Sequence, residues 1–182
     1  YTTLTSSVTG FVGIFISSIG ASVGNLMAME SKDKVYEIFN ITKFINFWLY
    51  GFSSICLFCL AEPFIALWLG EEYIMGKEIL LLIVLIFLME GLMAPIDSIK
   101  NAAGLYKPDR FVPIMASIVN LFLSVLLVKQ LGLAGVFIGT LASTLLFNFW
   151  IKPMLVYKYI FKKNAFEYFV DIFLKLVSIS IC

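Results

Sequence analysis

ILLLIVLIFLMEGLMAPIDSI, residues 79–99, decides the fold. A helix that crosses the hydrocarbon core of a bilayer needs about 20 mostly apolar residues. This stretch has that length, and its only charges are two carboxylates, Glu90 and Asp97. It does not alternate apolar and polar residues, so a barrel strand of about ten residues is a poor description and a transmembrane helix a good one. The whole chain has the same character. Hydrophobic residues make up 61% and charged residues 14%, against roughly 45–50% and about 25% in a soluble domain. A soluble fold of 182 residues cannot hide so much apolar side chain.

Working outward from residues 79–99, four more runs have spanning length: about 4–29, 41–60, 111–128 and 133–151. A further run begins at 168 and is cut at Cys182. The expected architecture is therefore all-α: a polytopic transmembrane helix bundle with five spans in residues 1–167 and the truncated start of another in 168–182. The first residue is Tyr1 and both ends lie in or beside apolar runs, so the chain reads as a fragment of a longer protein. Cys56 and Cys59 sit inside an apolar run and read as small packing residues, not as a redox or zinc motif.

The connections alternate in charge. Lys32, Lys34 and Lys43 follow the first run, Lys100, Lys107 and Arg110 the third, and Lys152, Lys158, Lys162 and Lys163 the fifth. The intervening loops hold only Lys77, outnumbered by glutamates, and Lys129. Lysine and arginine concentrate in short cytoplasmic loops. The basic connections are thus expected inside, and Glu71 and Gly132 outside. The loop GLYKPDR, residues 104–110, contains the only arginine; Gly104 suits a helix C-terminus and Pro108 a tight turn. ESKDKVYEIF, residues 30–39, is expected as an amphipathic helix on the inner surface, with Trp68 at the outer interface.

Polar side chains within lipid cost free energy and mark places to inspect. In the first run Ser6, Gly10, Gly13, Ser17, Gly20 and Gly24 form a small-residue stripe, and Ser18, Ser22 and Asn25 a second polar strip. Either packs helices closely or walls a water-accessible cavity. Glu90 and Asp97 share a face of the third helix, with Lys100 and Asn101 continuing it, and Pro95 is placed to bend it. Glu90 and Asp97 are candidates for binding a coupling proton or cation; Asp97 equally suits an ion pair with Lys100. Ser117, Asn120 and Ser124 share a face of the fourth run, and Gly135, Gly139, Thr140, Thr144 and Asn148 recur along the fifth. Each set is either interhelical glue or cavity lining.

Histidine is absent, and no nucleophile with its base, phosphate-binding glycine loop or metal cluster can be picked out. A transporter or a structural membrane protein is expected rather than an enzyme, with no catalytic residue, no metal and no cofactor. The net charge of +1 gives no pointer to nucleic acid, and no such partner is expected.

Four segments carry a resemblance: IGASVGNLMAMESKDKVYEIF (19–39), PFIALWLGEEY (63–73), NAAGLYKPDRFVPIMASIVNLFLSVLLVKQLGLAGVFIGTLAS (101–143) and YKYIFKKNAFEYF (157–169). In order and spacing they resemble bacterial polysaccharide flippases of the multidrug/oligosaccharidyl-lipid/polysaccharide exporter superfamily. The resemblance implies most of the second lobe of a two-lobe exporter fold, with the other lobe as partner, in a bacterial plasma membrane. It implies a task as well: moving undecaprenyl-pyrophosphate-linked sugar repeat units to the outer leaflet by alternating access, often coupled to a cation gradient. Lys100, Lys107 and Arg110 then become candidates for holding the lipid-linked pyrophosphate, and Asn25, Asn120 and Asn148 for lining the cavity. A multidrug or small-solute exporter of the same fold is the alternative, and a membrane enzyme of glycan assembly a third reading.

Overall fold

The computed structural model describes the backbone of residues 1–180 and the side chains of residues 1–14 and 29–177. Seven α-helices follow one another among the described residues: α1 (Thr2–Met29), α2 (Lys32–Trp68), α3 (Lys77–Ala102), α4 (Val112–Leu131), α5 (Leu133–Ser143), α6 (Phe149–Val156) and α7 (Phe166–Ser180). The chain is 87% helical, without strands among these residues. Single π-helical turns, Thr144–Asn148 and Tyr157–Phe161, join α5 to α6 and extend α6, so Leu133–Phe161 is one continuous rod. Among the described residues, four helices are long and apolar enough to cross a membrane: α2, α3, α4 and this rod. The molecule is a multi-pass transmembrane helix bundle.

Two elements run past their expected limits. The stretch expected as a separate surface helix and the 41–60 run form one helix, α2, because nothing between them breaks it. Ser31 caps its start by accepting from the Lys34 backbone N–H at 3.4 Å, and Asp33 favours the positive end of the helix dipole. Its 37 residues span about 55 Å at 1.5 Å per residue, so its first turns project beyond the bilayer core. Those turns are held by packing: Val35 and Phe39 are buried against Tyr157 and Phe161. The same contact explains why the rod continues past 151. Lys152 and Lys158 are good helix formers, and the rod stops only at Lys162, whose left-handed φ of 55° turns the chain.

α3 is the most enclosed element and the axis of the bundle. Met89, Met93, Ile96 and Ile99 enter a core shared with α2, α6 and α7, while Phe87, Leu88 and Leu92 pack with Phe47, Tyr50 and Val12. The hairpin of α4 and α5 lies to one side. Only Val112 and Ala116 of α4 are buried, and the two helices meet through glycine. A Cβ on Gly135 would stand 2.5 Å from the Leu127 backbone, so the GxxxG spacing here brings backbones together. α7 docks by one face, Tyr168 and Ile172, with Ala165 just before it, and by Asp171, whose carboxylate meets both Lys43 of α2 and Lys175 at 2.8 Å.

Candidate functional site

Pro95 sits inside α3 and has no N–H to offer the carbonyl four residues back, that of Gly91. Asn46 of α2 supplies the missing donor: its buried Nδ2 donates to the Gly91 carbonyl. Gly91 also has no room for a side chain, since a Cβ there would run into the Tyr50 ring. One proline thus imposes a close α2–α3 contact, and it separates the two halves of α3 that carry Glu90 and Asp97.

Glu90 faces a groove of about 470 Å³ between α1, α3 and α5. Thr2, Thr5, Ser6, Thr9 and Gly10 of α1 line one wall, with Ile83, Phe87 and Phe137 opposite. The α1 residues recur at three and four, so a single face turns its hydroxyls toward the carboxylate. Glu90 is exposed and has no hydrogen bond or ion pair among the described residues. Lipid is the wrong solvent for an unpaired carboxyl beside a row of hydroxyls; this face meets water or polar protein.

Asp97, two turns further on, is enclosed in charge. Its carboxylate accepts from Lys152 of α6 at 2.9 and 3.0 Å and lies 3.6 Å from the Lys100 ammonium. Lys100 is buried, 7% exposed, and its nearest partner is Asp109 of the α3–α4 loop, with which it forms a close, buried ion pair. Two lysines and two aspartates from α3, α6 and the loop thus form one neutral network. The loop reaches back because α3 ends in a tight cap: Leu105 N–H donates to the Lys100 carbonyl at 3.0 Å, around Gly104 at φ 62°. Asp109 is 4% exposed, and its second oxygen, Oδ1, has no hydrogen-bond partner.

The remaining residues singled out in the sequence fall in different places. Lys107 and Arg110 flank Asp109 but point outward; Arg110 lies 4.5 Å from the Phe111 ring, and Lys107 lines a shallow surface pocket with Tyr159. Asn120 is within the α4–α5 hairpin: Ser124 donates to its Oδ1 at 3.0 Å, and Thr140 lies 3.5 Å from it. Asn148 is half-buried in the first π turn. The side chains of Asn25, Ser17, Ser18 and Ser22 lie outside the described residues. Lys100 comes together with Asp97 but apart from Arg110, and Glu90 shares its groove with the α1 hydroxyls. Sequence reasoning missed Asn46, Lys152 and Asp109. Pro95 could have signalled that a donor must come to Gly91, but not from which helix. No protein-family profile, curated protein or solved structure matches this chain.

Proposed function

We propose that this chain is most of the second lobe of a flippase that carries undecaprenyl-pyrophosphate-linked oligosaccharide repeat units from the inner to the outer leaflet of a bacterial plasma membrane. The observation that carries a transport reading is the groove at Glu90. Its hydroxyls and unpaired carboxyl form a polar wall facing Ile83, Phe87 and Phe137, as a hydrated path requires. Threonine and serine hydroxyls offer both donors and acceptors to sugar hydroxyls, and Glu90 offers a site for the coupling proton or cation. Pro95, which frees the Gly91 carbonyl from the helix ladder, divides α3 into two halves that alternating access can move separately. The order and spacing of the four segments supply the substrate class. Lys107 and Arg110, exposed on what the charge pattern makes the cytoplasmic surface, attract the diphosphate. This function is transport, not catalysis, and serves cell-surface polysaccharide assembly.

A second reading has its own support in Glu90: an unpaired carboxylate with hydroxyl neighbours also suits a cationic drug or solute. The test is leaflet exchange in liposomes, using the protein with both lobes. A labelled undecaprenyl-pyrophosphate oligosaccharide is followed in parallel with an ethidium-type cation. Movement of the lipid-linked sugar alone supports the flippase; movement of the cation alone replaces it with an exporter.

A further inference from the structure

We infer that the α3–α4 loop is an anion-displaceable lid, in which Asp109 holds the Lys100 ammonium until an incoming multiply charged anion takes its place. The inference rests on the reading that an anionic head group enters at this end of the bundle. Three observations carry it. The loop is polarised: Asp109 turns inward onto Lys100, while Lys107 and Arg110, on either side of it in sequence, remain exposed. An anion drawn by the outer charges therefore arrives beside a lysine already held by a carboxylate. The closed state is also incompletely satisfied. Asp109 is buried with Oδ1 unpartnered, and a buried acceptor without a donor is costly. Release into water would satisfy both of its oxygens. Finally, Lys100 does not depend on Asp109 alone, since Asp97 stays 3.6 Å away on the same helix and keeps the ammonium in place as the loop leaves. The exchange is one of partners: one anion replaces another at Lys100, and no covalent bond is made or broken.

Asp109→Asn tests this directly, with inorganic pyrophosphate as the probe and binding followed by calorimetry in detergent. The amide keeps the shape of the side chain, removes its charge and so weakens its hold on Lys100. Binding is expected to tighten about tenfold, the worth of one charge-assisted hydrogen bond. The gain is expected to vanish in the Lys100→Met/Asp109→Asn double variant. Unchanged affinity in the single variant, or a gain that survives in the double, overturns the lid. A measurement on the wild-type protein stands even where the variants fold poorly. Carbodiimide coupling of an amine to Asp109, read by mass spectrometry, is expected to be slow alone and to rise when pyrophosphate is added; no rise overturns the lid. Repeating the labelling in phosphatidylglycerol vesicles with and without polyprenyl diphosphate separates a lipid-borne diphosphate from a free one. The flippase reading fails separately: if liposomes move no lipid-linked sugar but the Asp109 responses appear, the lid stands and serves another anion.

Discussion

Glu90 and Asp97 sit on one helix, seven residues apart, and have opposite surroundings. Glu90 opens onto a groove in which the α1 hydroxyls face Ile83, Phe87 and Phe137. Asp97 is clamped between two lysines that reach it from α6 and from its own helix. The Gly91–Pro95 segment lies between them, with its freed carbonyl taken by Asn46. The difference teaches that spacing on a helix assigns a face and not a role. What decides the role is what the neighbouring helices bring: the α1 wall carries no cation among its described residues, whereas α6 brings Lys152.

The comparison can be broken most directly by removing the charges one at a time. Asp97→Leu deprives Lys152 and Lys100 of their shared carboxylate. Breaking a fully buried pair from one side costs roughly 3–5 kcal/mol. Asp97 is 35% exposed, so a loss of about 1–3 kcal/mol is expected after screening by solvent. Glu90→Leu, with no partner to orphan, is expected to change stability by about 0.5 kcal/mol or less. Unfolding in mixed micelles titrated with SDS, followed by tryptophan fluorescence, measures both. Equal losses would mean that Glu90 has a structural partner after all.

A somewhat smaller effect is expected at the Gly91–Pro95 segment between them. Asn46→Ala leaves the Gly91 carbonyl buried without a donor, at a cost of about 1–2 kcal/mol. Pro95→Ala provides an N–H for the same carbonyl, so the double variant should lose less than the sum of the two single losses. Strict additivity in the same titration would show that Asn46 acts through packing and not through the carbonyl that Pro95 frees.

Much of this fold is local in origin and was legible for that reason. α3, α4 and the start of α5 follow the apolar runs to within a few residues, because in lipid a helix must satisfy its own backbone. The Gly104 cap and the close approach at Gly135 also follow from residues near each other in sequence. The overruns of α2 and of the α5–α6 rod do not: they depend on Tyr36 and Phe39 packing across the bundle on Tyr157 and Phe161, with ring centroids 5.0–6.1 Å apart. The candidate site divides in the same way. Glu90 was conspicuous because a carboxyl in an apolar run is rare. The counter-ions were not. Lys152 is 55 residues from Asp97, and Asp109 reaches Lys100 only after the loop folds back. Lys100, a candidate for the lipid-linked pyrophosphate or for an ion pair with Asp97, therefore has Asp109 as its nearest partner.

The smallest effect on stability belongs to the substitution with the most to say about function. Glu90→Gln keeps the side chain's length and hydrogen-bonding shape and removes only its ability to ionise. With no ion pair to lose among the described residues, folding should be unaffected within about 0.5 kcal/mol. Transport driven by an imposed proton or sodium gradient should nevertheless lose most of its acceleration, while exchange without a gradient continues. Asp97→Asn is the matched control. Its carboxylate is occupied by two lysines, so once corrected for folded protein its gradient response should persist. Thr5→Val, which removes one hydroxyl from the wall facing Glu90, should weaken that response less than Glu90→Gln does. A cation held by the groove needs oxygen ligands beyond a single carboxylate, whereas a proton needs only the carboxyl. A Thr5→Val effect confined to the sodium gradient would therefore identify a cation as the coupling species, and an effect on neither gradient would leave the proton. A normal response in Glu90→Gln would remove coupling from this groove and leave its polar wall to line the path alone.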